Sequence, residues 1–192
     1  MKLGSHNSIS YAKPKKWYLY PFRFMARCQS KTIAEQYYMY GVRMFDLRIK
    51  FSKGGKYSFA HGIMEYDLDV DETLFLLNDF PEDVDVRIIQ ENREGEFEDT
   101  FIQWCQKVRK QYPNIKFFGG RNKGSWKVIY NFGYKGPTFL DKYSSVNNET
   151  SNYTGTIWDD WFPFLYAWKN NRENIKNGTD RDYLFIDFVN IQ

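Results

Sequence analysis

The sequence predicts an α/β fold, and more narrowly a compact TIM (β/α)8 barrel. Three observations carry this expectation. Short apolar segments of strand length alternate with segments of helical period, the pattern of a mostly parallel sheet. Eight strand candidates can be counted, the number a barrel of this type needs. Several of them end in ionisable residues, at the end where the strands of a barrel converge on one mouth. The chain has 192 residues, below the usual minimum of about 200, so some helices should be short or missing and the barrel incomplete. One domain over residues 1–192 is expected at this length, with no internal repeat and no Pro- or Ser-rich linker.

The first candidate strand is Met1–Gly4, which runs into Ser5-His6-Asn7-Ser8. Lys31–Tyr40 reads as a helix, followed by the strand Val42–Ile49. In that strand Asp46 and Arg48 share one face, because strand side chains alternate. Tyr57–Ala60 is the third strand. A helix over Glu72–Phe80 takes Asp71 as its N-cap, and Val84–Glu91 is the fourth strand. A helix over Phe97–Gln111 follows, then strands at Ile115–Phe118, Trp126–Phe132 and Gly155–Trp158. Between the last two, Asp141–Thr154 is rich in Asn and Ser and reads as one long loop. The helix Pro163–Lys176 and the strand Tyr183–Val189 complete the pattern.

Composition excludes several function classes. Hydrophobic residues make up 42%, aromatics 20%, and the formal net charge is +3. That balance describes neither a disordered chain nor the dense positive field of a nucleic-acid binder, so no nucleic-acid partner is expected. No apolar run approaches the roughly 20 residues that span a bilayer. Met1 is followed almost at once by the first motif, without a signal peptide. A cytoplasmic protein is therefore expected, or a secreted one if a leader has been removed. Cys28 and Cys105 form neither a metal spacing nor a disulfide framework. Free, largely buried thiols are expected, with a single long-range disulfide as the alternative. A monomer is the expected state.

Only two histidines occur, His6 in Leu3-Gly4-Ser5-His6-Asn7-Ser8 and His61 in Tyr57-Ser58-Phe59-Ala60-His61-Gly62. Imidazole titrates nearest neutral pH, so a pair can divide the work of base and acid. On a barrel, His6, Asp46 with Arg48, His61, Glu91 and Asp187 would reach one mouth from five strands. Charges set in apolar text such as Phe45-Asp46-Leu47 and Phe185-Ile186-Asp187-Phe188 are costly unless paired, which favours a functional cluster.

Four blocks in order resemble the X-domain of phosphatidylinositol-specific phospholipases C, bacterial type, within the phospholipase-C-like phosphodiesterases. Gly4-Ser5-His6-Asn7-Ser8 is similar to the family's Gly-Thr-His-Asp-Ser or Ser-Ser-His-Asn-Thr. Gly41-Val42-Arg43-Met44-Phe45-Asp46-Leu47-Arg48 matches Gly-x-Arg-x-Phe-Asp-Ile-Arg, His61-Gly62 matches His-Gly, and Ile186-Asp187-Phe188-Val189-Asn190 resembles the late Ile-x-Asp-Phe/Tyr-x-Asn strand. The resemblance implies cleavage of phosphatidylinositol or a related glycerophosphodiester through a cyclic phosphate. His6 would be the base, His61 the acid, Asp187 the partner of His6, and Arg48 the clamp on the phosphate oxygens. Asp46 would orient Arg48 or His61.

The departures bear on metal and headgroup. Asn7, Asp46 and Glu91 match three of four calcium ligands of the eukaryotic members, while Arg48 holds the fourth position, as in the metal-independent ones. A fixed positive charge there favours catalysis without a cofactor, Ca2+ at Asn7, Asp46 and Glu91 being the alternative. Glu91 would then pair with Arg48 or accept a substrate hydroxyl. For the inositol ring, the family's middle arginine is replaced by Asn131, and its Asp-x-Tyr pair by Asp160 and Phe162. Residues Lys13 to Phe24 mix lysines with aromatics. They are expected to tuck their rings into the core, as are Trp158, Trp161 and Trp168; a peripheral membrane contact is the other reading. The competing readings of the whole chain are a metal-dependent glycerophosphodiesterase or sphingomyelinase-D-like enzyme, and an inactive headgroup-binding module. Against the first, Asp46-Leu47-Arg48 lacks the Glu-x-Asp metal pair.

Overall fold

The computed structural model describes residues 2–92, 96–118, 128–129, 162–177 and 183–192. Their strands are β1 (Lys2–Ser5), β2 (Val42–Ser52), β3 (Lys56–His61), β4 (Met64–Glu65), β5 (Val84–Gln90), β6 (Ile115–Phe118), β7 (Val128–Ile129) and β8 (Tyr183–Ile186). A parallel core runs β8-β1-β2-β5-β6. Five α-helices accompany it among the described residues: α1 (Arg23–Ala26), α2 (Ile33–Tyr40), α3 (Val70–Asn78), α4 (Glu98–Gln111) and α5 (Pro163–Asn177). A 3-10 segment spans Trp17–Phe22. The mixed α/β class is the one the sequence predicts.

The sheet departs from the expected parallel barrel. β3 runs antiparallel to β2, β4 to β3 and β7 to β5, and among the described residues the sheet does not close. The cause lies in β2, which continues to Ser52 and then turns back through Lys53-Gly54-Gly55-Lys56. Gly54 and Gly55 take φ of +80° and +71°, which residues with a Cβ adopt only at a cost. Tyr57–Ala60 is thus the return arm of a hairpin rather than a third parallel strand. Of the expected strand Trp126–Phe132 only Val128–Ile129 is described, and Gly155–Trp158 and the loop Asp141–Thr154 lie outside the described residues. β8 ends at Ile186, three residues short of the expected Val189.

Helices α2 and α3 begin at side chains that satisfy first-turn N–H groups. Thr32 and Glu35 form a reciprocal capping box on α2, and Gly41 closes that helix at φ +69°. For α3 the N-cap is Asp69, not Asp71: its Oδ1 accepts from the Glu72 N–H at 2.9 Å. Asp71 instead lies in the first turn and accepts from the Tyr57 hydroxyl at 2.6 Å. Both cysteines are free and buried. No described helix is long and apolar enough to cross a membrane.

The two faces of the parallel strands do different work. On one, Phe45, Leu47 and Ile49 of β2, Val84, Val86 and Ile88 of β5, and Leu184 and Ile186 of β8 join the main core with residues of α2, α3 and α4. The alternate positions form the other face. Gly4, Met44, Asp85 and Phe185 lie side by side in register, and one step further come Asp46 and Arg87. His6 and Asp187 follow directly on the ends of β1 and β8. At Gly4 an added Cβ would sit 2.9 Å from the Phe185 ring, whose face the Arg87 guanidinium approaches to 5.4 Å. Glycine there allows the ring to cross β1 and support the charged layer above it.

Candidate active site

His6 and Asp187 meet because β1 and β8 are parallel neighbours that end at the same level. His6 N–H donates to the Ile186 carbonyl, and the next two side chains face each other, His6 Nδ1 to Asp187 Oδ1 at 2.7 Å. The other ring nitrogen, Nε2, lies 2.6 Å from Arg48 Nη2. A guanidinium only donates, so Nε2 carries the lone pair and the ring proton sits on Nδ1, given to Asp187. The geometry therefore holds a neutral imidazole in one tautomer, with a carboxylate behind it and a basic nitrogen in front.

Asp46 is the hub of the floor. Its Oδ2 accepts from Arg48 Nε at 3.2 Å, Arg48 Nη2 at 3.1 Å and the Asn7 N–H at 3.0 Å. Its Oδ1 accepts from Arg87 Nε and lies 3.0 Å from Arg87 Nη2. Full burial works against its ionisation, yet the guanidinium groups of Arg48 and Arg87 hold its carboxyl well below the usual carboxylate range. Of the two residues named as candidates for Asp46 to orient, Arg48 is in direct contact with it. Arg87 was not foreseen. In Val84-Asp85-Val86-Arg87 an alternating charge reads as a solvent face, whereas every residue of β5 is buried.

Glu91 links this floor to the second histidine. Its Oε1 accepts from Arg48 Nη1 at 3.2 Å, and its Oε2 from the Gly62 N–H at 3.2 Å. Gly62 takes φ +60° directly after His61. β2 overshoots the ends of β1 and β8, and the hairpin carries His61 back two positions past the Ile49–Phe59 pair, to the level of Leu47 between Asp46 and Arg48. The His61 ring is half-buried, with Nδ1 3.4 Å from the Ala26 carbonyl.

Further residues brace the pair without having been singled out in the sequence. Gln29 Nε2 donates to the carbonyls of His6 and Ile186, while its Oε1 accepts from the Val189 N–H, tying the ends of β1 and β8 together. Asn171 of α5 donates to the Asp187 carbonyl at 2.6 Å. Ser8 Oγ donates to the Ser5 carbonyl and accepts from the Asp46 N–H, so the serines of the first block are structural clips. Asn7 and Phe188, each next to a member of the pair, have φ of +42° and +48°. Such backbone is uncommon outside glycine and costs on the order of 1 kcal/mol, held here by the surrounding bonds.

The rim is apolar and exposed. Trp17 is 84% exposed and Trp168 72%, and Tyr18, Tyr20, Phe22, Phe24, Phe164 and Leu165 also face solvent. The expectation that the Lys13 to Phe24 segment and Trp168 bury their rings is thus overturned for these residues. Trp17 to Phe24 lie on the short 3-10 and α1 turns, neither of which has a buried residue, and Trp168 lies on the exposed side of α5. Trp158 and Trp161 lie outside the described residues, as do Asn131 and Asp160. Phe162 is described: its ring stacks on Phe24 at 5.7 Å. Both line a groove of about 570 Å³ with Tyr20, Arg27, Leu165 and Phe188, the residue that follows Asp187 in sequence.

The calcium alternative can be tested on the donors. Asp46 Oδ2 and Glu91 Oε1, two of its three ligands, both accept from the Arg48 guanidinium. The third, Asn7, has a buried side-chain amide. As arranged, the Arg48 guanidinium bridges the two carboxylates that a calcium ion would use.

No family model and no curated protein matches the chain in sequence. Solved structures do match in shape. Phosphatidylinositol-specific phospholipase C of Listeria monocytogenes superposes with a TM-score of 0.59 at 13% identity, over 97% of this chain and 87% of that one. A point mutant of the Staphylococcus aureus phosphatidylinositol-specific phospholipase C gives 0.59 at 18% identity, over 97% and 84%. A second Staphylococcus aureus structure, concerned with that enzyme's membrane binding, gives 0.58 at 17% over 97% and 85%. At these identities the likeness is one of architecture: the chain has the fold of the bacterial phosphatidylinositol-specific phospholipases C.

Proposed function

We propose that the protein is a phosphodiesterase of the phospholipase C type that cleaves phosphatidylinositol or a related glycerophosphodiester without a metal. The observation that carries this reading is the chain Asp187–His6–Arg48, which presents a neutral imidazole with its Nε2 lone pair toward a guanidinium. A substrate phosphate arriving at Arg48 draws Nη2–H onto a non-bridging oxygen, and the substrate hydroxyl takes its place at Nε2. His6 removes the hydroxyl proton, the oxygen attacks phosphorus, and a cyclic phosphate forms. Asp187 stabilises the imidazolium that results. His61, its Nδ1 facing the Ala26 carbonyl, delivers a proton to the departing alkoxide from Nε2 and releases diacylglycerol or its equivalent. Arg48, fixed by Asp46 and Glu91, stabilises the charge that builds on phosphorus.

The parallel order β8-β1-β2-β5-β6 supports placing this chemistry at the mouth of a compact barrel. The exposed aromatic rim and the apolar groove lined by Phe24, Phe162 and Phe188 support a lipid substrate met at a membrane surface, with the rings at headgroup level. Phe162 and Asp160 are proposed as headgroup-binding residues, Phe162 through its ring face.

The test is release of cyclic inositol phosphate from phosphatidylinositol vesicles, with and without excess chelator. Cyclic product in both conditions is expected. Turnover that disappears in chelator and returns with calcium alone would hand Asn7, Asp46 and Glu91 to a metal. Binding of vesicles without turnover would leave a headgroup-binding module.

A further inference from the structure

We propose that Cys28, His6 and Asp187 form an inhibitory site for zinc. One donor atom from each of the three lies within 4.8 Å of the others. They combine a thiol, an imidazole and a carboxylate, the donor types of zinc sites, and the sulfur discriminates against calcium and magnesium, which take oxygen. Three protein ligands leave a fourth position for water, as in zinc sites that stay open.

Cys28 is fixed in place for this. Its N–H donates to Ser10 Oγ at 2.9 Å, and its carbonyl accepts from the Phe188 N–H at 2.6 Å, one residue beyond Asp187. The Sγ lies on the inner side of the His6–Asp187 pair, while His6 and Asp187 remain 28% and 18% exposed at their side chains. An ion therefore enters from solvent past the pair and meets the sulfur last. His6 Nδ1 and Asp187 Oδ1 stand 2.7 Å apart across a hydrogen bond. Two ligands about 2.0–2.1 Å from a tetrahedral ion stand about 3.3 Å apart, so the pair must open by roughly half an ångström. The ion takes the place of the Nδ1 proton and of the thiol proton, both of which pass to water. Burial and the neighbouring Asp187 carboxylate keep that thiol protonated in the metal-free protein, so it is inert there.

Occupation disarms the base. Nδ1 becomes a metal ligand, Asp187 no longer supports the imidazolium, and a cation beside the ring opposes protonation of Nε2. This inhibitory consequence rests on the reading of His6 as the base; the binding does not.

Cobalt, which takes zinc's geometry and reports sulfur ligation by its near-ultraviolet charge-transfer absorption, separates the two. Titrating Co2+ into the full chain should give one ion per chain with a thiolate band, retained in Cys105→Ser and lost in Cys28→Ser. Zinc should displace the cobalt. In the turnover assay zinc should lower the rate about 10²-fold or more, within the range of a lost base, and chelator should restore it. Cys28→Ser should turn over like the parent and resist zinc at least tenfold better. Absence of a thiolate band in the parent overturns the site whether or not the variant folds, and so does a band that survives Cys28→Ser. Zinc bound with turnover unchanged overturns the inhibitory role. A Cys28-dependent band in a protein that cleaves no phosphodiester upholds the site and refutes the proposed activity instead.

Discussion

On the floor of the site, Asp46, Arg48, Arg87 and Glu91 are buried among β-strands; on the rim, Trp17, Tyr20, Phe22, Phe24 and Trp168 face solvent. Soluble domains ordinarily distribute these residue types the other way round. The two inversions differ in kind. Each floor charge has opposite charges in contact, with Asp46 serving two guanidinium groups and Arg48 two carboxylates. Exposed rings, by contrast, are paid for only when something apolar covers them. The floor pairs its charges within the chain, whereas the rings of the rim stay exposed.

Removing the histidines tests the floor most severely. His6→Ala and His61→Ala should each lower turnover by roughly 10²–10⁴-fold while leaving the circular dichroism spectrum unchanged; parental turnover in either would end the acid–base assignment. Arg48→Lys keeps the charge, but an ammonium cannot serve Asp46, Glu91 and the substrate phosphate together. A loss of about 10²-fold, mainly in kcat, is expected from steady-state kinetics.

Arg87→Met asks whether the floor is a structural unit. It leaves Asp46 buried with one of its two cations, and removal of one partner from a buried ion pair costs about 3–5 kcal/mol. Urea unfolding should show that loss. The same variant has a pH signature. Because the folded-state pKa of Asp46 is depressed, its ionisation adds stability that is fully present above about pH 4 and is lost as pH falls through the folded value. The parent should therefore lose this contribution progressively below about pH 4, and Arg87→Met, which starts with less of it, should unfold at a higher pH. Acid titrations followed by circular dichroism compare the two.

The rim gives the smallest effects. Trp17→Ala and Trp168→Ala should each weaken binding to phospholipid vesicles about tenfold, the scale of burying part of an indole, and leave cleavage of a soluble substrate unchanged. Equal losses on soluble and vesicle substrates would show that these rings belong to the fold.

Much of the floor was legible because motif and strand period agree. Gly4-Ser5-His6 and Phe45-Asp46-Leu47-Arg48 put polar residues into apolar strand text, which only a paired, buried site tolerates. Arg87 was missed because alternation in β5 describes two faces without saying that both are buried. The hairpin was missed although Lys53-Gly54-Gly55-Lys56 between two alternating runs is a turn signal. Gln29 and Asn171 carry no signal at all, since their roles arise from bonds to carbonyls on distant segments. The rim was misjudged because aromatic text alone does not tell a buried ring from an exposed one.

One consequence of the His6–Asp187 contact concerns the folding route. The two residues are separated by 181 positions, and Asp46 bonds to groups 39 and 41 positions away. Contacts of such sequence separation form late, after the loop-closure entropy of the intervening chain has been overcome. A partly folded species with β1, β2 and β5 assembled but β8 undocked would have Arg48 and Asp46 in place and His6 without Asp187. It would bind phosphate without turning over. The recovery of turnover during refolding should accordingly lag behind the recovery of secondary structure, making catalysis itself a clock for the docking of β8.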